Sequence, residues 1–272
     1  MKRVALEPAF LLSLRPYRET GALLEVFTAN HGRVGLVARG VQSPKSKLRG
    51  LLQPFQRLLL SWVERGELGT LIGAEAGGPP AALSGESVFS GWYLNELLLR
   101  LLARHDMHGV LFQEYFSTLA SLSSPAGPAA LRIFEKHLLQ ELGYGLQLPE
   151  TLQADAWYEY DAQSGVSPAP VHSPQDFRGA SLIALALEEF DTQESLRDAK
   201  RLLREALAAH LGGRALETPK LLRALRATAA GVNEKNLRSP ALALGAAAGV
   251  IEKELLPPAL APGAASGVRC EA

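Results

Sequence analysis

The sequence predicts an α+β fold: a small five-stranded β-barrel followed by a helical region that carries a β-hairpin. Three observations predict it. Up to about residue 75 the apolar residues come in short runs split by turn residues. From about residue 85 their period becomes helical. Hydrophobic residues make up 47 % of a 272-residue chain, enough for a core without disulfides or a structural metal.

The elements follow in order. Val4–Leu14 is a first strand, ended by the turn Tyr17-Arg18-Glu19-Thr20-Gly21. Ala22–Thr28 is a second. Asn30-His31-Gly32 is a hairpin signal, because Asn and Gly tolerate positive φ. Arg33–Gly40 alternates as a half-buried third strand, and a polar loop covers 41–47. Phe55–Val63 and Leu68–Ala74 are the fourth and fifth, split by Arg65-Gly66-Glu67. Five short strands fit an OB-type barrel and an SH3-like barrel equally. Tyr93, Leu94, Leu97, Leu98, Leu101 and Leu102 then form a stripe on a helix over 90–104. Further helices are expected over 110–122 and 129–142, the latter closed by Gly143. Trp157, Tyr158 and Tyr160, a turn near Ser164-Gly165 and the run Val166–His172 predict a hairpin within 155–172. Helices are expected over 180–190 and over 195–211, opened by the capping-box spacing of Asp191 to Glu194. A last one lies near 219–228, where Thr218-Pro219 supplies an N-cap and a first-turn proline. The expected division is 1–80 for the barrel, 81–228 for the helices with their hairpin, and 229–272 for an Ala/Gly/Pro-rich tail with one short helix around Ala241–Leu256.

The net charge of zero conceals segregation. Residues 1–80 carry 11 basic and 6 acidic side chains, 81–196 carry 5 and 15, and 197–238 carry 10 and 4. Between 26 and 63 stand Arg33, Arg39, Lys45, Lys47, Arg49 and Arg57, with no acid. Such ends can bind a polyanion, although they also balance acidic surface within one soluble molecule. The sole cysteine, Cys270, excludes a disulfide framework and every cysteine-based metal cage. Glu7, Pro8 and Arg15 interrupt any signal-peptide core, and no window is apolar enough to cross a membrane. A cytoplasmic protein is expected.

Most catalytic signatures are missing. Gly40-Val41-Gln42-Ser43-Pro44-Lys45-Ser46 fails as a phosphate loop: the spacing is one residue short, and Pro44, which has no amide to offer, stands where the second glycine belongs. There is no Gly-x-Ser-x-Gly elbow and no Gly-x-Gly-x-x-Gly. His105 and His108 lack further ligands and are expected as exposed loop histidines. Neither an enzyme nor a cofactor or metal is expected. A basic barrel without a catalytic site points to binding. Lys45, Lys47 and Arg49 alternate, so on an extended chain they share one side. Cations track phosphates and rings stack bases in single-strand grooves. Phe27, Phe55 and Trp62 serve either that role or the barrel core, and Tyr17, beside Arg15 and Arg18, is the better exposed candidate.

The order of several short motifs resembles the RecO family of bacterial recombinational DNA-repair proteins. They are Glu25-Val26-Phe27-Thr28, Gly32-Arg33-Val34, Val37-Ala38-Arg39-Gly40 with its Ser/Lys loop, and Leu52-Gln53-Pro54-Phe55. Next come Tyr93-Leu94-Asn95-Glu96-Leu97-Leu98, Leu131-Arg132-Ile133-Phe134-Glu135, Glu141-Leu142-Gly143-Tyr144-Gly145 and His210-Leu211-Gly212-Gly213-Arg214. The resemblance implies an N-terminal OB barrel and a helical domain. It implies binding of single- and double-stranded DNA, annealing of complementary strands and, with RecR, help in placing RecA on DNA coated with single-strand-binding protein. A nucleoid-associated location and no nucleotide hydrolysis go with it. Many relatives carry a four-cysteine zinc site after the Gly-Tyr segment. Residues 146–180 contain no cysteine, so no zinc is expected and a hairpin replaces it.

By the same resemblance Arg33, Arg39, Lys45, Lys47 and Arg49 are phosphate contacts, which position DNA without reading its sequence. Lys200, Arg201, Arg204 and Arg214 either extend that path or form a solvated helix face. The acidic, phenylalanine-ended tail of single-strand-binding protein needs a cation beside an apolar slot. Arg132 and Lys136 with Leu138, Leu139 and Leu142 supply that chemistry, unless the leucines are core. Two other readings stand beside this one. One is a non-catalytic adaptor whose barrel docks proteins. The other is a hydrolase with an unrecognised site, against which the lack of clustered carboxylates or histidines argues.

Overall fold

The computed structural model describes residues 2–149 and 151–231. The tail from 232 onward, with the helix expected around Ala241–Leu256, lies outside the described residues.

Five strands close into a barrel: β1 (Arg3–Tyr17), β2 (Gly21–Thr28), β3 (Gly32–Ala38), β4 (Gln56–Arg65) and β5 (Leu68–Pro80). Their order around the barrel is β1-β2-β3-β5-β4, with β3 and β5 parallel and β4 closing against β1. This is an OB-type barrel. The alternation of the sequence fills it: Ala22, Leu24 and Val26 of β2, Val34, Leu36 and Ala38 of β3, and Leu58, Leu60 and Trp62 of β4 point inward. Trp62 is thus barrel core, whereas Phe27 and Phe55 are buried outside the barrel, against the helices.

The first strand is longer than expected because it pairs with two neighbours and bends at two bulges. One bulge leaves Leu6 at φ 52, its amide donating to the Ser61 hydroxyl at 3.0 Å. The other leaves Leu12 out of the ladder, and its carbonyl accepts from the Asn95 side chain at 3.0 Å. Directly after the expected 41–47 loop comes one helical turn, α1 (Leu48–Leu51), where no element was expected. Lys47 therefore stands at the N-cap position of a helix, without a side-chain capping bond, and Arg49 lies inside it, so the even spacing of Lys45, Lys47 and Arg49 is not strand alternation.

Six helices follow: α2 (Glu86–Leu101), α3 (Gly109–Ser121), α4 (Gly127–Glu141), α5 (Gly179–Leu187), α6 (Gln193–His210) and α7 (Glu217–Gly231). Gly143 at φ 79 ends α4 in a Schellman motif: its amide donates to the Gln140 carbonyl, and that of Tyr144 to the Leu139 carbonyl. The cap of α6 is Thr192, one residue later than expected, and its hydroxyl accepts from the Ser195 amide at 3.1 Å. The expected cap of α7 is also displaced. The buried Glu96 carboxylate of α2 accepts from the amides of Glu217 and Thr218 at 2.8 and 2.9 Å, and Thr218 makes no capping bond of its own. The hairpin is present as β6 (Trp157–Asp161) and β7 (Gly165–Pro168), and β8 (Phe177–Arg178) pairs with the other edge of β6 to make three strands.

The outer face of the barrel and the helices share a second core, distinct from the barrel interior. Phe10, Leu12 and Phe27 on the outside of β1 and β2 pack with Trp92, Leu98, Phe112 and Tyr115. Gly32, at φ 62, is needed for two reasons: its conformation, and a Cβ there would lie 1.8 Å from the Asp106 carbonyl oxygen.

Candidate nucleic-acid interface

Alternation fixes which barrel side chains face out. With Leu24, Val26, Val34 and Leu36 inside, Leu23 and Glu25 of β2 and Arg33, Gly35 and Val37 of β3 face outward. Past the Leu12 bulge, Leu14 packs on the barrel interior, which turns Ser13, Arg15 and Tyr17 outward. Register then aligns Arg15 with Leu23 and Leu23 with Val37, a row across three strands. Toward the helices the next row is Ser13, Glu25 and Gly35. There the Arg104 guanidinium lies over Gly35, in the space a Cβ would take, and bonds to Glu25.

Away from the helices lies the basic end. Tyr17 is half-buried with the Arg18 guanidinium 5.1 Å from its ring centroid. The Gln42 amide donates to the Thr20 carbonyl at 2.9 Å, holding the loop of Arg39 and Lys45 beside the turn after Tyr17. Arg39, Lys45, Lys47 and Arg49 are exposed, and among the described residues none of them is in an ion pair. One end of the barrel thus presents four uncompensated cations, a half-exposed ring and the apolar pair Leu23–Val37.

Arg33 does not belong to that surface. It is directed at the seam, where it donates to the Leu99 carbonyl and lies 3.8 Å from the Glu25 carboxylate. Burial there pushes its pKa down, with Glu25 opposing and Arg104 adding to the drop. Its backbone carbonyl also accepts from the His105 amide. Arg15 is on the same face as Tyr17, a placement their two-residue spacing on a strand signals, and burial pushes its pKa down with Glu25 opposing. Arg104 had no such signal, because it reaches the barrel from the segment after α2.

A second group of cations lies among the helices. Arg132 of α4, Lys200 and Arg204 of α6, and Arg226 of α7 are within electrostatic reach of one another. Lys200 and Arg204 are exposed, while the Arg132 side chain is only 7 % exposed and pairs with Glu135 at 2.8 Å. Burial, then the cations Arg132 and Arg204, lowers the Lys200 pKa. Arg201 points elsewhere: it donates to the Gln175 and Asp176 carbonyls and lies 3.9 Å over the Phe177 ring. It is a strut between α6 and β8 and is withdrawn from the DNA path. Arg214 is exposed after α6.

The apolar slot beside Arg132 is also corrected. Leu138 and Leu139 are fully buried core residues, and Leu142 packs partly buried against that core as the C-cap of α4. Lys136 is engaged by the Leu185 and Ala186 carbonyls at the end of α5 and by Glu188 at 2.6 Å. His108, expected in solvent, is buried at the start of α3, 3.5 Å from the Glu141 carboxylate. Among the described residues no three His, Cys, Asp or Glu side chains converge as metal donors. No described helix is long and apolar enough to cross a membrane.

The comparisons with known proteins agree with this architecture. The family model described as Recombination protein O N terminal matches residues 1–79, and Recombination protein O C terminal matches 84–219. A curated protein of Nitrosococcus oceani named DNA repair protein RecO is 48 % identical over 237 residues, covering 82 % of this chain and 95 % of that protein. Proteins of the same name from Dechloromonas aromatica and Coxiella burnetii are 41 % and 44 % identical over 239 and 228 residues. Those alignments cover 82 % and 81 % of this chain, and 97 % and 99 % of the relatives. On this evidence the chain belongs to the RecO family of DNA repair proteins.

Proposed function

We propose that the chain is a non-catalytic recombination mediator. It binds single- and double-stranded DNA along the basic end of the barrel and anneals complementary strands. With RecR it assists RecA onto DNA coated with single-strand-binding protein. It does so in the cytoplasm, at the nucleoid. The observation that carries the reading is the set Arg39, Lys45, Lys47 and Arg49: exposed, uncompensated, and beside Tyr17 and Arg15 on one barrel end. Four cations without partners leave four positions where phosphates replace counterions, and salt-sensitive, sequence-tolerant binding follows. Hinged strands held on such a surface meet their complements with their mutual repulsion screened.

The second cluster is proposed as the site for the acidic tail of single-strand-binding protein. Arg132 with Lys200 and Arg204 supplies the cations, and the leucines act as core behind them rather than as a slot. Annealing of complementary strands, bare and coated with cognate single-strand-binding protein, tests both assignments. Intact protein should anneal both. The variant with alanine at 39, 45, 47 and 49 should fail on both, and Arg132→Ala only on coated strands. An intact protein that anneals neither would end the mediator reading and leave the adaptor one.

A further inference from the structure

The helical cation cluster contains an acid that neither DNA nor a peptide requires. Glu135 lies on α4, is fully buried and sits one turn from Arg132. Its Oε1 forms an ion pair with the Arg132 guanidinium at 2.8 Å and accepts from the Tyr93 hydroxyl of α2 at 2.6 Å. Its Oε2 is buried without a hydrogen-bond partner. A half-satisfied buried carboxylate is unfavourable in a core, where an apolar residue of similar volume serves stability as well or better. The same carboxylate also holds inward the one arginine of the cluster that is buried: Lys200 and Arg204 nearby are exposed and, among the described residues, in no ion pair.

We infer that Glu135 is an internal occupant of Arg132, a built-in carboxylate that an incoming acidic peptide must displace, so that it sets how weakly the chain holds that peptide. The proposal rests on the reading of Arg132 as a peptide-tail site. The exchange trades one ion pair for another: the peptide carboxylate gains the guanidinium, and Glu135 keeps the Tyr93 hydroxyl as its hydrogen-bond donor. Lys200 and Arg204 act on Glu135 only from a distance and, being exposed, also attract the arriving carboxylate. Tyr93 is therefore a positioning residue, since it keeps Glu135 from being orphaned when Arg132 turns out. The two residues act in opposite directions. Removing the charge of Glu135 releases Arg132, whereas removing the Tyr93 hydroxyl leaves Glu135 dependent on Arg132 alone.

The test is fluorescence anisotropy with a synthetic peptide ending in consecutive acids and a C-terminal phenylalanine, titrated with the full chain and with Glu135→Gln, Tyr93→Phe and Arg132→Ala. The affinity should rise about tenfold in Glu135→Gln, as the competing ion pair is removed, and fall about threefold in Tyr93→Phe. Arg132→Ala should abolish binding. Thermal melts identify any variant that fails to fold, and the remaining one of the Glu135 and Tyr93 pair still decides. Loss of binding in Arg132→Ala with unchanged or weaker binding in Glu135→Gln, or with unchanged binding in Tyr93→Phe, overturns the inference and leaves the peptide site standing. Unchanged binding in Arg132→Ala overturns the peptide site itself.

Discussion

Asn95 joins the two halves of the molecule with one side chain. It is fully buried, donates to the Leu12 carbonyl at the bulge of β1, and accepts from the Tyr115 hydroxyl of α3 at 2.5 Å. Both partners are in the core, and burial pushes the Tyr115 hydroxyl pKa upward. Alanine at 95 leaves a carbonyl and a hydroxyl unpaired in that core. The expected loss is about 2–4 kcal/mol of stability in urea unfolding, and a loss under about 1 kcal/mol would show that the bulge carbonyl finds another donor. Glu135 carries a pH signature at the same scale. Burial raises its pKa, with Arg132 and Tyr93 opposing. A carboxyl whose folded pKa is raised contributes stability that is fully present below about pH 4.3 and is lost as pH rises through the folded value. Glu135→Gln has no such titration. Its stability relative to the parent should therefore grow as pH rises from about 4 toward neutrality, and a difference that stays flat or shrinks would contradict the shift.

The helix α7 is capped from outside itself. Glu96 accepts from its first two amides, and its Oε1 also receives Arg100 at 3.0 Å. Glu96→Ala should cost about 2–3 kcal/mol and expose the α7 amides to hydrogen exchange, while the barrel amides stay protected. Local signals read most elements well. The alternation of Ala22 to Thr28 and of Arg33 to Ala38 is legible because each second residue faces a filled barrel, and Gly143 marks the end of α4 because few residues take φ 79. What escaped depended on distant partners. Thr218-Pro219 has the composition of a cap, yet a carboxylate 122 residues away performs the capping. The turn at Leu48–Leu51 is too short to show a period. β8 has two residues and exists by pairing with β6. Arg33 looked like its basic neighbours, and only the position of α2 makes it a seam residue rather than a surface one.

On the scale of the whole molecule, the zero net charge resolves into distinct surfaces. At the seam, the Glu25 carboxylate faces both Arg33 and Arg104 and holds them at the contact between barrel and helices. Beyond it, past the row Arg15–Leu23–Val37, the exposed cations Arg39, Lys45, Lys47 and Arg49 are in no ion pair among the described residues. The candidate site was legible as a set of residue types, but its membership depended on this partition, which only tertiary packing reveals. The barrel end should therefore account for most of the salt dependence of DNA binding. The measurement that tests this most directly is the affinity for single-stranded DNA against salt concentration, for intact protein and for the variant with alanine at 39, 45, 47 and 49. The log–log slope should become shallower by about 2 to 3 in the variant, the release expected for four lost phosphate contacts on a single strand. A slope that does not change would place the DNA elsewhere on the molecule and contradict the barrel-end interface.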